Sequence, residues 1–282
     1  MLRMDRHRSA YSTSFPVDVV TVVLDDGTRR RLVAKHLRWD TMLPAARRTK
    51  PRFLYDPDRE PGVYRELLDH RRHGTPRRYG VVDDRLLLER VPGVELYQIG
   101  DRAEWERAAR WLAGFHAEFA TRVDDIARAD VPLLRHDAPY YRRWIERARR
   151  FTPDARVDRL ADRYDVVVER LLAQPVTLIH GELYASNVIV DGDRICPIDW
   201  EMAAIGPALI DLAALSSGTG WSETDRAAIV DAYGGADDGD LDACRAHLAV
   251  QWLGWSPAWT PPPELAHDWL SEATAAADRL GL

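Results

Sequence analysis

The chain has only two cysteines, Cys196 and Cys244, and no apolar run that approaches the roughly 18 residues needed to span a membrane. Two cysteines without metal-ligand spacing argue against a disulfide framework and a zinc site, and they are typical of a reducing compartment. Residues 1–8 are charged, and no apolar segment of the kind found in secretory signals follows them. We therefore expect a cytoplasmic protein without a membrane partner.

Lysine and asparagine are also scarce. Of the 39 basic residues only Lys35 and Lys50 are lysines, and Asn187 is the single asparagine. A composition that strongly disfavours a residue type makes each surviving copy more informative than usual. Lys35 and Asn187 therefore carry more weight as candidates for a functional site than residues of a common type would.

The remaining composition is that of an ordinary globular protein. The 282 residues are 46% hydrophobic and 30% charged, which is enough for one large domain or two modest lobes. Charge is divided unevenly, because residues 1–95 carry a net +6 and residues 96–282 a net −12. This asymmetry suggests that the two halves face differently charged partners. Simple solvation of both surfaces is the alternative explanation.

The first 95 residues have the pattern of strands around one helix. Strands are predicted over residues 17–24 and 31–37, on either side of an Asp-Asp-Gly turn. A helix is predicted over 62–72, and a second hairpin surrounds residues 83–84. The Val-Pro-Gly sequence at 91–93 then breaks the pattern, as a connector between lobes would.

Helices dominate from residue 102 onward. Apolar residues at helical spacing predict helices over 105–119, 139–150 and 157–173. Between them and the helical C-terminal third lies a short β-rich region, with strands predicted over 176–179 and in a hairpin that spans 187–198.

The most informative pattern lies in this β-rich region. Glu182 stands five residues before Asn187, and Asp199 stands twelve residues after Asn187, across the predicted hairpin. Phosphoryl transfer to an alcohol needs a carboxylate that orients or deprotonates the hydroxyl, oxygen ligands for Mg²⁺, and a cation for the phosphate tail. Protein kinases place the carboxylate five residues before an asparagine metal ligand, with a metal-binding aspartate beyond it. A hairpin would bring Asn187 and Asp199 together at one ion.

Each of these residues has a structural interpretation when it is taken alone. Asp199 could be an ordinary strand-end residue, and Asn187 could be a turn former. A histidine such as His180 is more often structural than catalytic, and we assign His180 as a brace for the backbone. The ordered combination of Glu182, Asn187 and Asp199 nevertheless favours catalysis.

The pattern His-Gly-Glu-x4-Asn from position 180, followed by Ile-Asp-Trp-Glu, Gly-Pro and Asp-Leu-Ala from 198, 206 and 211, resembles the aminoglycoside phosphotransferase and choline-kinase-like superfamily. The resemblance covers most of the chain. It implies a bilobal, protein-kinase-like α+β fold, with a β-rich N-lobe over residues 1–95 and a mainly helical C-lobe over 96–282. It also implies ATP or GTP as co-substrate and Mg²⁺ as cofactor.

The resemblance assigns roles to several residues. Glu182 would be the catalytic base, Asn187 and Asp199 the metal ligands, and Asp211 the carboxylate that braces the catalytic loop. The family usually has aspartate where this chain has Glu182. The extra methylene moves the carboxylate by about one bond length, and a shift of that order can lower a rate by as much as ~10²-fold. We interpret Glu182 as a variant base, with loss of activity as the alternative.

The N-terminal half resembles the nucleotide-binding part of the same fold. The sequence Leu-Val-Ala-Lys at 32–35 is similar to the kinase strand whose lysine grips the α- and β-phosphates, so we expect Lys35 to bind nucleotide and support catalysis. Glu60 is expected to be its partner rather than Glu66, because only Glu60 has the family's spacing to the following Tyr and Leu-Leu residues.

Two further nucleotide contacts are implied. Backbone groups of Glu89 and Val91 would meet the adenine edge at the connector between the lobes. The glycine-rich phosphate loop of kinases is missing, and the Ser-Thr-Ser sequence at 12–14 stands where that loop is expected. A Ser/Thr-rich turn could cradle phosphate with its backbone amides.

The acceptor side is less well defined by the sequence. Glu201, Trp255 and Trp259 are candidates for binding the acceptor, since aromatic faces and carboxylates suit sugar rings and cations. Core packing is an equal alternative for Trp255, whereas Trp259 lies in a proline-rich segment that predicts a loop. The family's acceptors include aminoglycosides, peptide antibiotics, macrolides, choline and sugars.

These observations predict an ATP- or GTP-dependent small-molecule O-phosphotransferase that acts on a cationic, aminoglycoside-like acceptor, with antibiotic resistance as an associated role. A protein kinase is disfavoured because the His-Gly-Glu and Ile-Asp-Trp-Glu forms match the small-molecule branch. A nucleotide-binding pseudokinase or regulatory protein stays an alternative because of Glu182. A nucleic-acid partner is not expected at a pI of about 5.9.

Overall fold

The computed structural model of the protein describes residues 3–9, 14–217, 221–258, 260 and 267–282. Within these ranges an antiparallel sheet near the N-terminus is followed by a mainly helical part that contains two small sheets. This architecture confirms the predicted α+β fold, with strands concentrated in the N-terminal region and helices in the remainder.

The N-terminal sheet consists of five antiparallel strands: β1 (Arg3–Arg8), β2 (Val17–Val23), β3 (Arg29–His36), β4 (Arg78–Val82) and β5 (Arg85–Glu89). They follow the order β1-β2-β3-β5-β4. The sequence pattern did not predict β1, because its side chains are charged and lack the apolar alternation of a half-buried strand. Charged side chains suit an edge strand, since they discourage further pairing. In the centre of the sheet, Lys35 of β3 lies between Val17 and Leu86.

Besides two 3₁₀ turns (Trp39–Thr41 and Arg52–Leu54), two helical segments connect β3 to β4. The first is α1 (Pro44–Thr49), and the second begins as α2 (Arg59–Gly62) and continues as a π-helical turn (Val63–Leu67). The predicted helix over 62–72 therefore starts too late and ends too late. The helix ends before Asp69 because the Asp69 side chain accepts hydrogen bonds from the N–H groups of Arg71 and Arg72, an arrangement that competes with helical bonding.

The C-terminal part contains nine helices within the described residues: α3 (Arg102–Ala120), α4 (Val123–Arg128), α5 (Ala138–Phe151), α6 (Ala155–Asp162), α7 (Tyr164–Ala173), α8 (Leu209–Leu215), α9 (Glu223–Tyr233), α10 (Asp238–Leu253) and α11 (Trp269–Arg279). Aspartate side chains cap the first turns of several of them, including Asp101 before α3 and Asp137 before α5. The single helix predicted over 157–173 is two helices, because the backbone leaves the helical conformation at Arg163.

Six short strands form the two small sheets: β6 (Val94–Glu95), β7 (Leu134–Arg135), β8 (Val176–Ile179), β9 (Val188–Asp191), β10 (Arg194–Pro197) and β11 (Ala204–Pro207). One sheet has the order β10-β9-β6 and the other β7-β11-β8. Through β6, the end of the connector that follows β5 pairs with the β9–β10 hairpin. At Gly93 of the connector a Cβ would lie 2.1 Å from the carbonyl oxygen of Val190, so this close approach requires glycine.

The helical core is organised around α10, which packs against α5, α7, α8 and α11. Small buried residues on α10, among them Ala243, Ala246 and Ala249, let several helices approach it closely. No helix in the described part of the chain is long and apolar enough to cross a membrane.

Two histidines of this core make the fold sensitive to acid. His136 and His247 are 6% and 0% exposed, and burial lowers the pKa of His136 to about 3 and that of His247 well below its usual value. Both are therefore neutral in the folded protein, whereas each takes up a proton at about pH 6.5 in the unfolded chain. Because each histidine then binds a proton only in the unfolded state, each lowers the free energy of unfolding below that pH by roughly 1.4 kcal/mol per pH unit, a contribution that the raised pKa of Glu182 opposes in the same range.

Urea unfolding at a series of pH values from about 7 to about 5 measures this loss. His136→Phe keeps an aromatic ring against Tyr140, whose ring centroid lies 4.2 Å from that of His136. It is expected to reduce the slope of the unfolding free energy against pH by roughly 1.4 kcal/mol per pH unit, the contribution of one histidine. A variant whose slope equals that of the wild type would contradict the assignment.

Candidate active site

The loop that follows β8 is held through its backbone by a buried carboxylate. Asp211 of α8, 0% exposed, accepts hydrogen bonds from the N–H groups of His180 at 2.7 Å and Gly181 at 2.9 Å. Burial favours the protonated form of Asp211, but the hydrogen bond and charge of His116 lower its pKa. Gly181 has a φ of 84°, and a Cβ there would lie 2.4 Å from the carbonyl oxygen of Met202, so the loop requires glycine at this position.

His180 holds the same loop through its ring. The Nε2–H group donates to the carbonyl oxygen of Ile198 at 2.8 Å, and Nδ1 accepts from the N–H of Glu182 at 3.3 Å. Burial lowers the pKa of His180, so the ring is neutral and offers the one donor and one acceptor that these bonds need. Both nitrogens of His180 are therefore engaged in positioning the backbone.

Asn187 and Asp199 lie at the open end of the β9–β10 hairpin. The N–H of Ile198 donates to the carbonyl oxygen of Asn187 at 2.9 Å, which extends the strand ladder by one step and brings the two segments together. The side-chain amide of Asn187 donates to the carbonyl oxygen of Glu182 at 2.8 Å, so its N–H₂ end faces the loop. Asp199 has a φ of 65°, a strained conformation for a residue other than glycine and one that is frequent at functional sites.

The side chains at this end of the hairpin suit a hard cation. Asn187 contributes an amide oxygen and Asp199 a carboxylate, and oxygen ligands of this kind are those that Mg²⁺ prefers. Mg²⁺ is usually held by one or two carboxylates together with the phosphates of a substrate. The two residues therefore fit a magnesium site that a nucleotide completes.

Lys35, in the centre of the first sheet, contacts side chains from two other segments of the chain. Its Nζ lies 2.7 Å from Oε2 of Glu60 and also contacts Oδ1 of Asp199. Glu66, the alternative partner, pairs with Arg65 on the exposed surface. Burial alone would lower the pKa of Lys35, but the carboxylates of Asp199 and Glu60 raise it well above its usual value. Lys35 is therefore a permanent cation, whereas burial raises the pKa of its partner Glu60 to about 7.

A second buried lysine reaches the same region. The Nζ of Lys50 lies 2.7 Å from Oε1 of Glu201, with side-chain exposures of 4% and 15%. Despite burial, Lys50 and then Lys35 lower the pKa of Glu201 to about 2. Burial and then the Glu201 carboxylate raise the pKa of Glu182 to about 8. The two glutamates thus differ strongly in acidity although they belong to one cluster.

The connector after β5 is tied to the hairpin by Glu89. Its carboxylate accepts two hydrogen bonds from the guanidinium of Arg194 in β10, at 3.0 and 2.9 Å, and a third from the N–H of Arg77 at 3.0 Å. The side chain of Glu89 is therefore occupied, and so is its N–H group, which donates to the carbonyl oxygen of Arg77 at 2.8 Å. The side chain of Val91 is buried beside it.

The expected acceptor residues fall in different surroundings. Trp255 stacks on Trp144, with ring centroids 5.8 Å apart, and packs against the helical core, as its structural alternative predicted. Glu201 is not a free carboxylate for a cationic acceptor, because Lys50 already pairs with it. Trp259 lies outside the described residues, as do Ser12 and Thr13 of the expected phosphate loop.

Three basic residues that shape the site were not predicted from the sequence: Lys50, Arg59 and Arg194. Arg59 donates to the backbone carbonyl oxygen of Glu201 at 2.8 Å and holds the segment after Asp199 in place. No local pattern marks the two arginines in a chain so rich in arginine. The scarcity of lysine did mark Lys50, and the same argument that selected Lys35 applies to it.

Residues 28–247 match the family model described as the phosphotransferase enzyme family. No curated protein sequence matches the chain.

Solved structures with the same fold cover nearly the whole chain. The choline kinase LicA from Streptococcus pneumoniae is 14% identical, with a TM-score of 0.65 over 99% of this chain and 93% of that one. The macrolide 2'-phosphotransferase MphH from Brachybacterium faecium is 18% identical, with a TM-score of 0.61 over 96% and 91%. A GDP complex of an aminoglycoside 2'-phosphotransferase is 15% identical, with a TM-score of 0.60 over 99% and 92%. At these identities the likeness concerns the fold.

Removing the buried carboxylate should destabilise the whole protein. Asp211→Ala leaves two buried backbone N–H groups without their acceptor, and we expect it to lower the free energy of unfolding by roughly 2–5 kcal/mol. Thermal and urea unfolding measure the change, with the exposed Asp124→Ala as a matched control. Equal stability of the two variants would show that the loop does not depend on Asp211.

Proposed function

The chain belongs to the phosphotransferase enzyme family, and on that premise we propose that it transfers the γ-phosphate of ATP or GTP to a hydroxyl of a small molecule. The observation that carries the proposal is the convergence of Lys35, Glu60 and Asp199 in one ion-paired cluster, next to a loop that holds Glu182 and Asn187. A cation, oxygen ligands and a candidate base are the groups that phosphoryl transfer needs from a protein.

In this proposal, residues 1–95 form the nucleotide-binding lobe and residues 96–282 the lobe that carries the catalytic loop and the acceptor. The net charges of +6 and −12 agree with a triphosphate on one side and a cationic or neutral acceptor on the other. Backbone groups of Glu89 and Val91 would contact the base. Complexes of LicA with AMP and of an aminoglycoside phosphotransferase with GDP support a nucleotide between the lobes but leave adenine and guanine equally open.

The proposed reaction is a single displacement at phosphorus. The acceptor oxygen forms a bond to the γ-phosphorus, the bond from that phosphorus to the β,γ-bridging oxygen breaks, and the nucleoside diphosphate leaves. Glu182 orients the hydroxyl and, in its ionised form, takes the proton; with a pKa of about 8 this form increases as the pH rises through that value. Lys35 holds the α- and β-phosphates, and Glu60 keeps the lysine in place.

Asn187 and Asp199 would hold Mg²⁺, which supplies charge neutralisation at the phosphates when it is bound. The role of the protein at this position is to keep the two oxygen donors close together. The hairpin does this through the hydrogen bond between Ile198 and Asn187.

The acceptor is proposed to be an amino-sugar or another basic natural product. The acidic charge of residues 96–282 supports this, because it would raise the local concentration of a cation. Within the site, Glu182 would face such an acceptor and attract it when ionised, since Glu201 is paired with Lys50. Trp259 stays a proposed contact, and Trp255 would act through packing.

A panel of cationic and neutral alcohols tests the proposal. Release of ADP or GDP is measured for each compound with Mg²⁺, and Asp199→Ala should abolish most of the turnover while the protein stays folded. The exposed Asp193→Ala is the control. Near-wild-type turnover by Asp199→Ala would overturn the assignment of the site, and nucleotide binding without turnover of any compound would favour a non-catalytic nucleotide-binding protein.

Substitution of the candidate base is a separate test. Glu182→Gln keeps the size of the side chain but cannot accept a proton, and should lower kcat by roughly 10²–10⁴-fold with little change in nucleotide affinity. Glu182→Asp, which restores the family's usual residue, should retain far more activity than Glu182→Gln. Steady-state kinetics with the best acceptor, and Glu169→Gln as an exposed control, provide the comparison. Full activity of Glu182→Gln would mean that another group positions the hydroxyl.

Ionic strength tests the charge argument for the acceptor. If long-range attraction concentrates a cation at the site, KM for the acceptor should rise with added salt, because exposed charges are screened within about 10 Å at 0.1 M. Initial rates at increasing NaCl concentrations measure this, with KM for the nucleotide followed in parallel. Turnover restricted to neutral alcohols, with a KM indifferent to salt, would contradict it.

A further inference from the structure

Lys50 occupies a position that the phosphoryl-transfer assignment leaves unexplained. It follows α1, and its ammonium group pairs with Glu201, two residues beyond the Asp199 that pairs with Lys35. Both lysines of the chain are therefore buried, and both reach the same short segment after β10 from separate elements of the N-terminal region.

Stability alone is a weak reason for this ion pair. A buried pair gains little over well-packed apolar side chains, because both charges lose their hydration. The segment at Glu201 is also held without Lys50, since Arg59 donates to the carbonyl oxygen of Glu201 at 2.8 Å and to that of Leu54 at 2.7 Å. A chain in which 37 of 39 basic residues are arginine nevertheless uses lysine here. Lysine supplies a compact point charge where arginine would need a planar, forked partner.

The partners of Lys50 place it next to the groups that surround Lys35. The cleft beside it is lined by Lys35, Glu60, Glu201 and Phe15, and the Nζ of Lys50 lies 5.9 Å from the centroid of the Phe15 ring. A phosphate chain that extends from Lys35 past Glu201 would therefore meet Lys50.

We propose that Lys50 is a second phosphate-binding cation, which exchanges its contact with Glu201 for the γ-phosphate of the bound triphosphate while Lys35 holds the inner phosphates. The proposal rests on the proposed function, because it needs a triphosphate in the cleft. Glu201 then serves as the resting partner that keeps the buried ammonium group satisfied until the nucleotide arrives.

The test compares binding of Mg·AMP-PNP and Mg·ADP by isothermal titration calorimetry, with the guanine analogues as a second pair. Lys50→Met alone would leave Glu201 unpaired and could unfold the protein, so Lys50→Met is combined with Glu201→Gln and compared with Glu201→Gln alone. Loss of Lys50 should lower the affinity for AMP-PNP by about tenfold or more and change the affinity for ADP little, as expected for one charge-assisted contact to the γ-phosphate. Lys35→Ala should weaken the binding of both nucleotides. Arg48→Ala, at an exposed position on α1, should weaken the binding of neither.

The outcomes distinguish a failure of the proposed function from a failure of the role proposed for Lys50. If the wild type binds neither nucleotide pair, the proposed function and this inference both fail. The wild type could bind both nucleotides while the double variant binds both more weakly by the same factor, or binds both as tightly as Glu201→Gln does. Either result would overturn only the role of Lys50. If the double variant does not fold, the Glu201→Gln variant alone tests the proposal. Its freed Lys50 should preserve or increase the preference for AMP-PNP over ADP, and loss of that preference would refute the proposal.

Discussion

The ion pairs that Lys35 and Lys50 make with the segment after β10 are the interactions on which the rest of the site depends. Taking a charge out of water costs several kcal/mol, so these pairs persist only where the partners meet at contact distance. Four segments distant in sequence are brought together as a result, namely the centre of the first sheet, the end of α1 at Lys50, the short helix that carries Glu60, and the turn at Asp199 and Glu201. The cleft between them is strongly charged before any ligand enters it.

The second constraint is the rigidity of the catalytic loop. Its backbone N–H groups are bound by Asp211, and its carbonyl at Glu182 is bound by the amide of Asn187. His180 links the loop to the hairpin through Ile198. Preorganisation of this kind is what electrostatic catalysis requires, because groups that are already fixed need no rearrangement as charge develops on the phosphoryl group. The proposed roles of Glu182 and Asn187 both depend on this framework.

The parts of the site that follow from local sequence could be predicted, and those set by tertiary packing could not. Glu182 and Asn187 are linked by a fixed spacing within one loop, and Asp199 follows across a two-strand hairpin, so the kinase spacing, the turn signal and the family resemblance selected them together as candidates. The pairing of Lys50 with Glu201 joins residues that are far apart in the chain, and no spacing rule connects them. For that reason Glu201 was expected to face the acceptor, although a neighbouring ammonium group already neutralises it.

The ends of the helices and strands also divide into those set by local sequence and those set by tertiary contacts. The hairpins of the first sheet were predicted from their turns, whereas the helix that carries Glu60 was placed too far along the chain, because its start depends on tertiary contacts of Arg59 and its end on the side chain of Asp69. The edge strand β1 escaped prediction since its charged side chains show no apolar face.

The most direct measurement of the central claim is a crystal structure with Mg²⁺ and a non-hydrolysable triphosphate. The account predicts that Lys35 keeps its contact with Glu60 and exchanges Asp199 for an oxygen of the α- or β-phosphate, at ordinary charge-assisted hydrogen-bond distance. A bound nucleotide whose phosphate oxygens all lie more than about 6 Å from Lys35 Nζ would exclude that ion pair and contradict the account.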